Sequence, residues 1–221
     1  GYRFALNLAN QTVEVNGHPL TDVTAAIMRA AMRDRGVKNM AALEDAWTAE
    51  AARNAYHPVK DYLNRLVWDG ADHIAALSKK MESASGSVDY NDGQPPVPLH
   101  AVYLYRWLIG AVAKVMEGAQ NPMLCWDGPQ GIGKSLLAAW LCALSEYFIE
   151  APINVQDKDS DVRLLSKWIW EVSELDATTR KADVSALKAF ITKNKVTVRK
   201  AYGRNDMTGP AMASFIGTVN N

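Results

Sequence analysis

Apolar residues before residue 83 recur mostly at helical spacing. Residues 4–15 differ, because apolar and polar side chains alternate weakly there before Asn16-Gly17, which predicts a small hairpin or two short strands. Thr21 is a suitable cap for a helix that stops at Gly36. The spacing predicts helices over 22–34, over about 40–53, from Pro58 through Leu66, and over 71–81.

The pattern changes in the second part of the chain. Residues 83–98 are rich in Ser, Gly, Asp and Pro, which predicts a loop or linker, and an apolar helix over about 98–117 follows. Beyond it, short apolar runs alternate with helical segments, which indicates a mainly parallel sheet. Strands are predicted at 123–126, 147–149, 168–171 and 214–218, helices at 135–144, 161–166 and 180–192, and a hairpin over 195–202.

The segment between the strand at 123–126 and the helix at 135–144 reads Gly128-Pro129-Gln130-Gly131-Ile132-Gly133-Lys134-Ser135. This is the phosphate-loop pattern, G-x-x-x-x-G-K followed by Ser or Thr. The glycines let backbone N–H groups surround a phosphate chain, Lys134 reaches the outer phosphates, and the Ser135 hydroxyl ligates Mg²⁺. A strand, a Gly-rich turn and a buried helix aim the helix N-terminus at the anion, so ATP and Mg²⁺ are the predicted ligands.

Hydrolysis needs further groups, and the strand Trp168-Ile169-Trp170 delivers acids at its carboxyl end. Glu171 is assigned to Mg²⁺ and Glu174 to the water as base, with the reverse assignment left open. A strand that merely ends in solvated acids is the alternative, and Asp176 suits a cap or salt bridge equally well. Asn220 ends the last strand and suits a water-holding sensor, with Asn221 as the fallback.

The formal net charge of zero hides an asymmetry. Residues 180–204 contain eight basic residues against Asp183 alone, so this window carries +7 and the remainder carries −7. A concentrated basic segment with an aromatic residue suits phosphate contacts and base stacking on single strands, and a solvated charged hairpin is the alternative. The predicted DNA contacts are Lys193, Lys195, Arg199, Lys200, Tyr202 and Arg204.

The cysteines, the histidines and the lack of long apolar runs bear on metal binding and on the location of the protein. Cys125 and Cys142 flank the loop in apolar surroundings, so we expect buried free thiols in a reducing compartment. The four histidines lack ligand spacing, and no metal is expected beyond the nucleotide's Mg²⁺. Without a secretory signal or a long apolar run, no membrane partner and a cytoplasmic location are expected. Gly1 in place of Met suggests a fragment or tag remnant.

These segments resemble the virulence-associated protein E family of phage and prophage ATPases over most of the chain. Before the linker the resemblance rests on Asn-Gly-His-Pro-Leu-Thr-Asp at 16–22 and on Tyr-His-Pro-Val-Lys-Asp-Tyr-Leu-Asn-Arg-Leu-Val-Trp-Asp-Gly at 56–70. After the linker it rests on the loop at 128–135, the acidic segment at 168–176, Ala-Leu-Lys-Ala-Phe at 186–190, Tyr-Gly-Arg at 202–204 and Phe-Ile-Gly-Thr-Val-Asn-Asn at 215–221.

That family is similar to superfamily-three helicases, which place an acidic strand, a basic hairpin and an Asn strand in this order. The resemblance implies an AAA+-type core, hexameric rings in the full-length form, ATP-driven movement on single-stranded or forked DNA, and a place in phage or mobile-island replication. It marks Lys134 and Ser135 for the nucleotide, Glu171 and Glu174 for hydrolysis, Asn220 as sensor, and Lys195, Arg199 and Lys200 for DNA.

Some positions depart from the family pattern. Residues 116–121 lack the usual Pro-Gly-Cys-Lys, and Trp126-Asp127 replaces the more usual Leu-Glu. The sequence stops just past the sensor, so a lid and an arginine finger are expected outside it. The piece is then expected to bind ATP and to hydrolyse it poorly, because such a finger contributes a factor of roughly 10³ or more.

The predicted fold class combines α+β and α/β features. A mainly helical N-terminal domain with a small β element covers 1–82, a linker covers 83–98, and a truncated AAA+-type P-loop core with a mainly parallel sheet covers 99–221. The predicted activity is Mg²⁺-dependent ATP hydrolysis by a DNA helicase-type motor. A nucleotide-binding scaffold or phage-interference protein without turnover, and a small-molecule kinase with the same loop, are the alternatives.

Overall fold

The computed structural model describes residues 1–81, 86–90, 95–173, 175, 184–198 and 207–220. By the contacts within them, the residues form two compact units, Gly1–Arg65 and Leu66–Asn221. In the described residues, no helix combines the length and the apolar character that a bilayer crossing requires.

The first unit is built as its sequence pattern predicts. It contains an antiparallel sheet of three strands, β1 (Phe4–Asn7), β2 (Thr12–Val15) and β3 (His18–Pro19). Three helices follow the sheet in the chain, α1 (Asp22–Asp34), α2 (Met40–Arg53) and α3 (Pro58–Arg65). The Thr21 and Asn39 side chains accept hydrogen bonds from backbone N–H groups in the first turns of α1 and α2, which satisfies donors that a helix leaves unpaired. The Phe4 and Trp47 rings stack 5.8 Å apart at the centre of its core.

The second unit mixes helices and strands. In chain order its elements are α4 (His73–Ser78), β4 (Ser87–Val88), β5 (Val97–Pro98), α5 (Leu99–Glu117), β6 (Leu124–Asp127), α6 (Lys134–Leu141), a 3-10 turn (Ser145–Tyr147), β7 (Phe148–Glu150), α7 (Lys158–Ser166), β8 (Ile169–Val172), α8 (Val184–Ile191), β9 (Lys195–Val198), β10 (Met207–Pro210) and β11 (Ser214–Val219).

Four of these strands form a parallel sheet in the order β6-β11-β8-β7, which confirms the predicted mixed fold with a parallel sheet. β11 is the last of the four along the chain, yet it lies between β6 and β8. Glu171 on β8 is therefore paired with Ile216 on β11 and with Glu150 on β7. Parallel strands end at one common edge, so the segments that follow them meet there.

The two faces of this sheet differ. Trp170 and Phe215 are register partners, so they share a face, and both rings pack with Phe190 from α8 in one apolar cluster. Glu171 belongs to the opposite face, because successive side chains along a strand alternate. That second face is where Ser135, in the first turn of α6, contacts the sheet.

Three expectations about the segments that flank the loop are wrong. α6 ends at Leu141 rather than 144, because the Cys142 backbone is extended and its thiol donates to the Leu144 carbonyl oxygen. α6 is also not a buried helix: Leu136 and Trp140 are 76% and 67% exposed. Cys142 is buried, and burial raises the pKa of its thiol to about 11, whereas Cys125 is exposed.

The predicted hairpin begins at Lys195 as expected, but its predicted extent of 195–202 is wrong. β9 is one strand, and its antiparallel partner is β10, with Thr197 opposite Thr208. Val196 and Val198 are buried in the same cluster as Trp170, so the hairpin has one buried face and is not fully exposed. The alternation of Val and polar residues predicts the first strand, but the return strand has no comparable signal because Gly and Pro, which strands disfavour, make up half of it.

Candidate functional site

The loop with the phosphate-binding pattern leaves the sheet at its carboxyl edge. β6 ends at Asp127, residues 128–133 turn, and α6 begins at Lys134. Asn220 follows β11, the strand next to β6, and Glu171 lies one residue inside the end of β8, which is the strand beyond it. The strand order thus brings residues that are far apart in sequence to one end of the sheet.

Glycines set the shape of the turn. Gly131 and Gly133 have φ angles of 86° and 90°, a region that costs other residues roughly 1–2 kcal/mol. An added Cβ would meet no atom within 4 Å at either position, so backbone conformation, rather than space, requires glycine there. No side chain caps α6 at Gly133, which leaves its first N–H groups available to a ligand.

The Lys134 side chain folds back over this loop. Its Nζ donates to the carbonyl oxygens of Gly128 at 2.6 Å and Pro129 at 2.9 Å, and to Asn220 Oδ1 at 3.0 Å. All three of these acceptors are uncharged, so the ammonium is held without an ion pair among these contacts. The Lys134 ammonium and the Asn220 side-chain amide are therefore hydrogen-bonded to each other at the mouth of the loop.

Glu171 lies beneath the loop and is fully buried. Its Oε1 accepts hydrogen bonds from Ser135 Oγ at 2.6 Å and from Thr218 Oγ1 at 3.2 Å. Its Oε2 has no hydrogen-bond partner among the described residues. Burial raises the pKa of Glu171 and the charge of Glu150 adds to the rise, while the hydrogen bonds from Ser135 and Thr218 act in the opposite direction.

These groups fit the ligands that the sequence predicts. A serine hydroxyl beside a carboxylate is an oxygen donor set of the kind that Mg²⁺ takes, and the unpartnered Oε2 of Glu171 is an acceptor left for it or for its water. The glycine turn and the uncapped start of α6 provide N–H groups suited to a phosphate chain. Ser135 and Glu171 would hold the cation, and residues 128–135 would hold the phosphates.

The described residues contain the whole loop, Gly128 to Ser135, together with Glu171 and Asn220. Glu174, the residue assigned to the water, lies outside the described residues, as do the alternatives Asp176 and Asn221. The sequence reasoning overlooked Thr218 and Glu150. A Thr in an otherwise apolar strand was the available signal for the first, and an acid directly after an apolar run was the signal for the second.

Of the predicted DNA contacts, the described residues include Lys193 and Lys195. Lys193 Nζ lies 2.7 Å from Asp161 Oδ1 and 5.1 Å from the centre of the Phe190 ring, so this ammonium is already paired. Lys195 begins β9 and is exposed. The other predicted contacts, Arg199, Lys200, Tyr202 and Arg204, lie outside the described residues.

Comparison with known proteins gives a family match over most of the chain. A family model described as a virulence-associated protein E-like domain matches residues 63–221. No curated protein gives a significant match.

Among solved structures, the A form apo structure of the NrS-1 C terminal region is similar, with 22% identity over 54% of this chain and a TM-score of 0.39. Another apo structure of that region shows 20% identity over 55% of this chain and a TM-score of 0.40. This chain spans 28% and 30% of the lengths of those two chains.

Proposed function

The chain belongs to the virulence-associated protein E-like domain family, and from that membership and the geometry of the loop we propose that it binds ATP with Mg²⁺ and hydrolyses it. The proposed setting is a replication protein of a phage or mobile element. There, ATP hydrolysis would drive a DNA helicase-type motor along single-stranded or forked DNA, with the full-length protein assembled as a homo-oligomeric ring.

One observation supports this proposal most directly. Lys134 contacts Asn220, and Ser135 contacts Glu171, although 86 and 36 residues separate the members of these pairs. An ordinary glycine turn does not need a lysine, a hydroxyl, a buried acid or an amide at its mouth. The group has the residue types that phosphoryl-transfer sites use for charge neutralisation and for positioning water.

Each residue of the site has a proposed part in ATP binding or hydrolysis. The N–H groups of the loop and of the start of α6 bind the phosphates, and Lys134 exchanges its carbonyl contacts for the outer phosphates. Mg²⁺ supplies further positive charge to the phosphates when it is bound. Asn220, released from Lys134, holds the attacking water, and Glu174 accepts its proton, with Glu171 as the alternative base.

The DNA contact rests on the basic segment. Lys195 is exposed at the start of β9, close in sequence to four predicted contact residues, Arg199, Lys200, Tyr202 and Arg204. Lys193 contributes only if DNA phosphate competes with Asp161 for its ammonium. Backbone phosphates and stacked bases of a single strand are the proposed partners of this segment.

The test measures ATP binding and turnover by the full-length protein, with and without single-stranded DNA. The wild type is compared with Lys134→Ala and with Lys158→Ala, a control that removes an exposed lysine on α7. We expect Lys134→Ala to lower turnover by about 10²-fold or more, since it removes a positive charge from the transferred phosphoryl group. The control is expected to match the wild type.

Two results would count against the proposal. Equal turnover in the wild type and Lys134→Ala would assign any measured hydrolysis to a contaminant and would end the motor hypothesis. Binding of Mg²⁺-ATP by the full-length wild type with no turnover, even with DNA present, would favour the nucleotide-binding scaffold instead.

A further inference from the structure

We infer that Thr218 is a positioning residue, whose hydroxyl fixes the Glu171 carboxylate so that one carboxylate oxygen stays available to a hydrated divalent cation. The inference rests on the proposed function, because it concerns the cation that accompanies the nucleotide. It adds a residue that the phosphate-loop pattern does not include.

Strand register places Thr218 where it can do this. Ile216 is the register partner of Glu171, and Thr218 lies two residues further along β11, on the same face and nearer the carboxyl edge. β11 is paired on both sides, with β6 and with β8, so its backbone is held more firmly than a loop. A donor on this strand is therefore a fixed reference for the carboxylate.

The hydroxyl of Thr218 is not required for packing. Thr218 is 4% exposed in a strand whose other buried side chains are mostly apolar, and valine would fill the same volume. A buried hydroxyl needs a hydrogen-bond partner, and its described partner is Glu171 Oε1 at 3.2 Å. The polar atom thus serves the carboxylate.

The two donors to Oε1 differ in kind. Ser135 lies in the first turn of α6, at the end of the loop that must accept the phosphates, and its oxygen is itself a proposed ligand of the cation. Thr218 lies in the sheet and keeps its place whatever the loop holds. Both donate to Oε1, and this arrangement leaves Oε2 without a hydrogen bond among the described residues.

The test measures nucleotide binding as a function of Mg²⁺. A fluorescent ATP analogue is titrated with Mg²⁺, and separately in EDTA, against the wild type, Thr218→Val and the conservative Thr218→Ser. We expect Thr218→Val to raise the Mg²⁺ concentration for half-maximal binding by about 10–100-fold, the range for lost partners of metal ligands, with affinity in EDTA unchanged. Thr218→Ser keeps a donor and is expected to stay near the wild type.

A double variant separates positioning from packing. In a Glu171→Ala background, Thr218→Val is expected to add no further change in Mg²⁺ dependence, because the carboxylate that Thr218 positions is gone. A full additional effect there, or a single Thr218→Val variant with the Mg²⁺ dependence of the wild type, would overturn the inference and leave the proposed function intact.

Folding is checked by thermal melting, with Thr218→Ala as a second variant that lacks the hydroxyl. If both hydroxyl-free variants fail to fold while Thr218→Ser folds, the hydroxyl serves stability and the inference is overturned. A wild type that binds no ATP analogue with or without Mg²⁺ would instead remove the proposed function itself.

Discussion

At the scale of single residues, Lys114 is an unusual feature of α5. Its side chain is 2% exposed, and its Nζ has no hydrogen-bond partner among the described residues. Its Nζ lies over the Phe215 ring, 5.9 Å from the ring centre. Burial lowers the pKa of Lys114 to about 8, from 10.5, because the charged form loses its hydration.

We therefore predict that Lys114→Met stabilises the protein at neutral pH. The shift in pKa corresponds to a cost on the order of 3 kcal/mol for keeping Lys114 charged below pH 8, and the cation–π contact offsets part of it. The unfolded chain binds more protons between pH 8 and 10.5, so wild-type stability gains from this group as pH rises through that window.

Denaturant unfolding from pH 7 to pH 10.5 tests this prediction, with Lys188→Met on the exposed side of α8 as the control. Lys114→Met is expected to lack the rise in stability between pH 8 and 10.5 that Lys114 gives the wild type. Parallel curves for the wild type and Lys114→Met would contradict it.

Glu171 changes stability with pH in the opposite direction to Lys114. Its pKa is raised above the ordinary value of 4.5, so the folded state binds more protons than the unfolded chain as pH rises from that value. Wild-type stability therefore falls as pH rises from 4.5 through the raised pKa of Glu171 in the folded state. Glu171→Gln removes this loss of stability. We predict a higher melting temperature for Glu171→Gln at pH 7 together with weaker Mg²⁺-dependent ATP binding.

Thermal melting at several pH values and an ATP titration check the two parts of this prediction. A variant that is less stable than the wild type at pH 7 would show that the hydrogen bonds from Ser135 and Thr218 outweigh the burial of the charge.

At the scale of elements, sequence reasoning succeeded where one local signal sets the structure. The ends of α1 and α2 follow from Thr21 and Asn39, whose side chains cap them, and the loop follows from its glycines. It failed where a distant partner decides. β10 has little intrinsic strand signal and forms because β9 pairs with it. One local signal was also missed, because Asp157 caps α7 and the helix therefore starts at Lys158 rather than at 161.

The loop glycines give a prediction with a matched control. Gly133→Ala and Gly118→Ala both place alanine at positive φ, at 90° and 75°, with no atom within 4 Å of the new Cβ. Each is expected to cost roughly 1–2 kcal/mol of stability. Only Gly133→Ala is expected to weaken ATP binding as well, because Gly118 ends α5 and is not part of the loop.

Unfolding and ATP titrations on both variants provide the check. Equal losses of ATP affinity in the two variants would mean that the loop backbone has no special part in binding. No loss of affinity in Gly133→Ala would have the same meaning.

The β9–β10 hairpin gives a prediction about DNA. Lys195→Ala is expected to weaken single-stranded DNA binding for all sequences and to reduce the slope of log affinity against log salt by about 1, as for one lost phosphate contact. Lys158→Ala is the control. Fluorescence anisotropy over a series of salt concentrations measures both quantities, and an unchanged slope for Lys195→Ala would remove Lys195 from the interface.

At the scale of the whole molecule, the order of strands determines what the site contains. The sequence predicted a parallel sheet and the loop, but strand order comes from packing between distant segments. Since β11 lies between β6 and β8, Asn220 reaches Lys134 and Thr218 reaches Glu171. The motif alone identifies Lys134 and Ser135, whereas the contacts of Thr218 and Glu150 with Glu171 depend on the register.

Every role proposed for these residues depends on triphosphate binding at the loop between β6 and α6. The most direct measurement is a crystal structure of the protein with Mg²⁺ and a non-hydrolysable ATP analogue. We predict that the phosphates lie against the N–H groups of residues 130–135, and that Lys134 Nζ has left the carbonyl oxygens of Gly128 and Pro129. A structure in which Lys134 keeps those contacts and the nucleotide lies elsewhere would contradict the account.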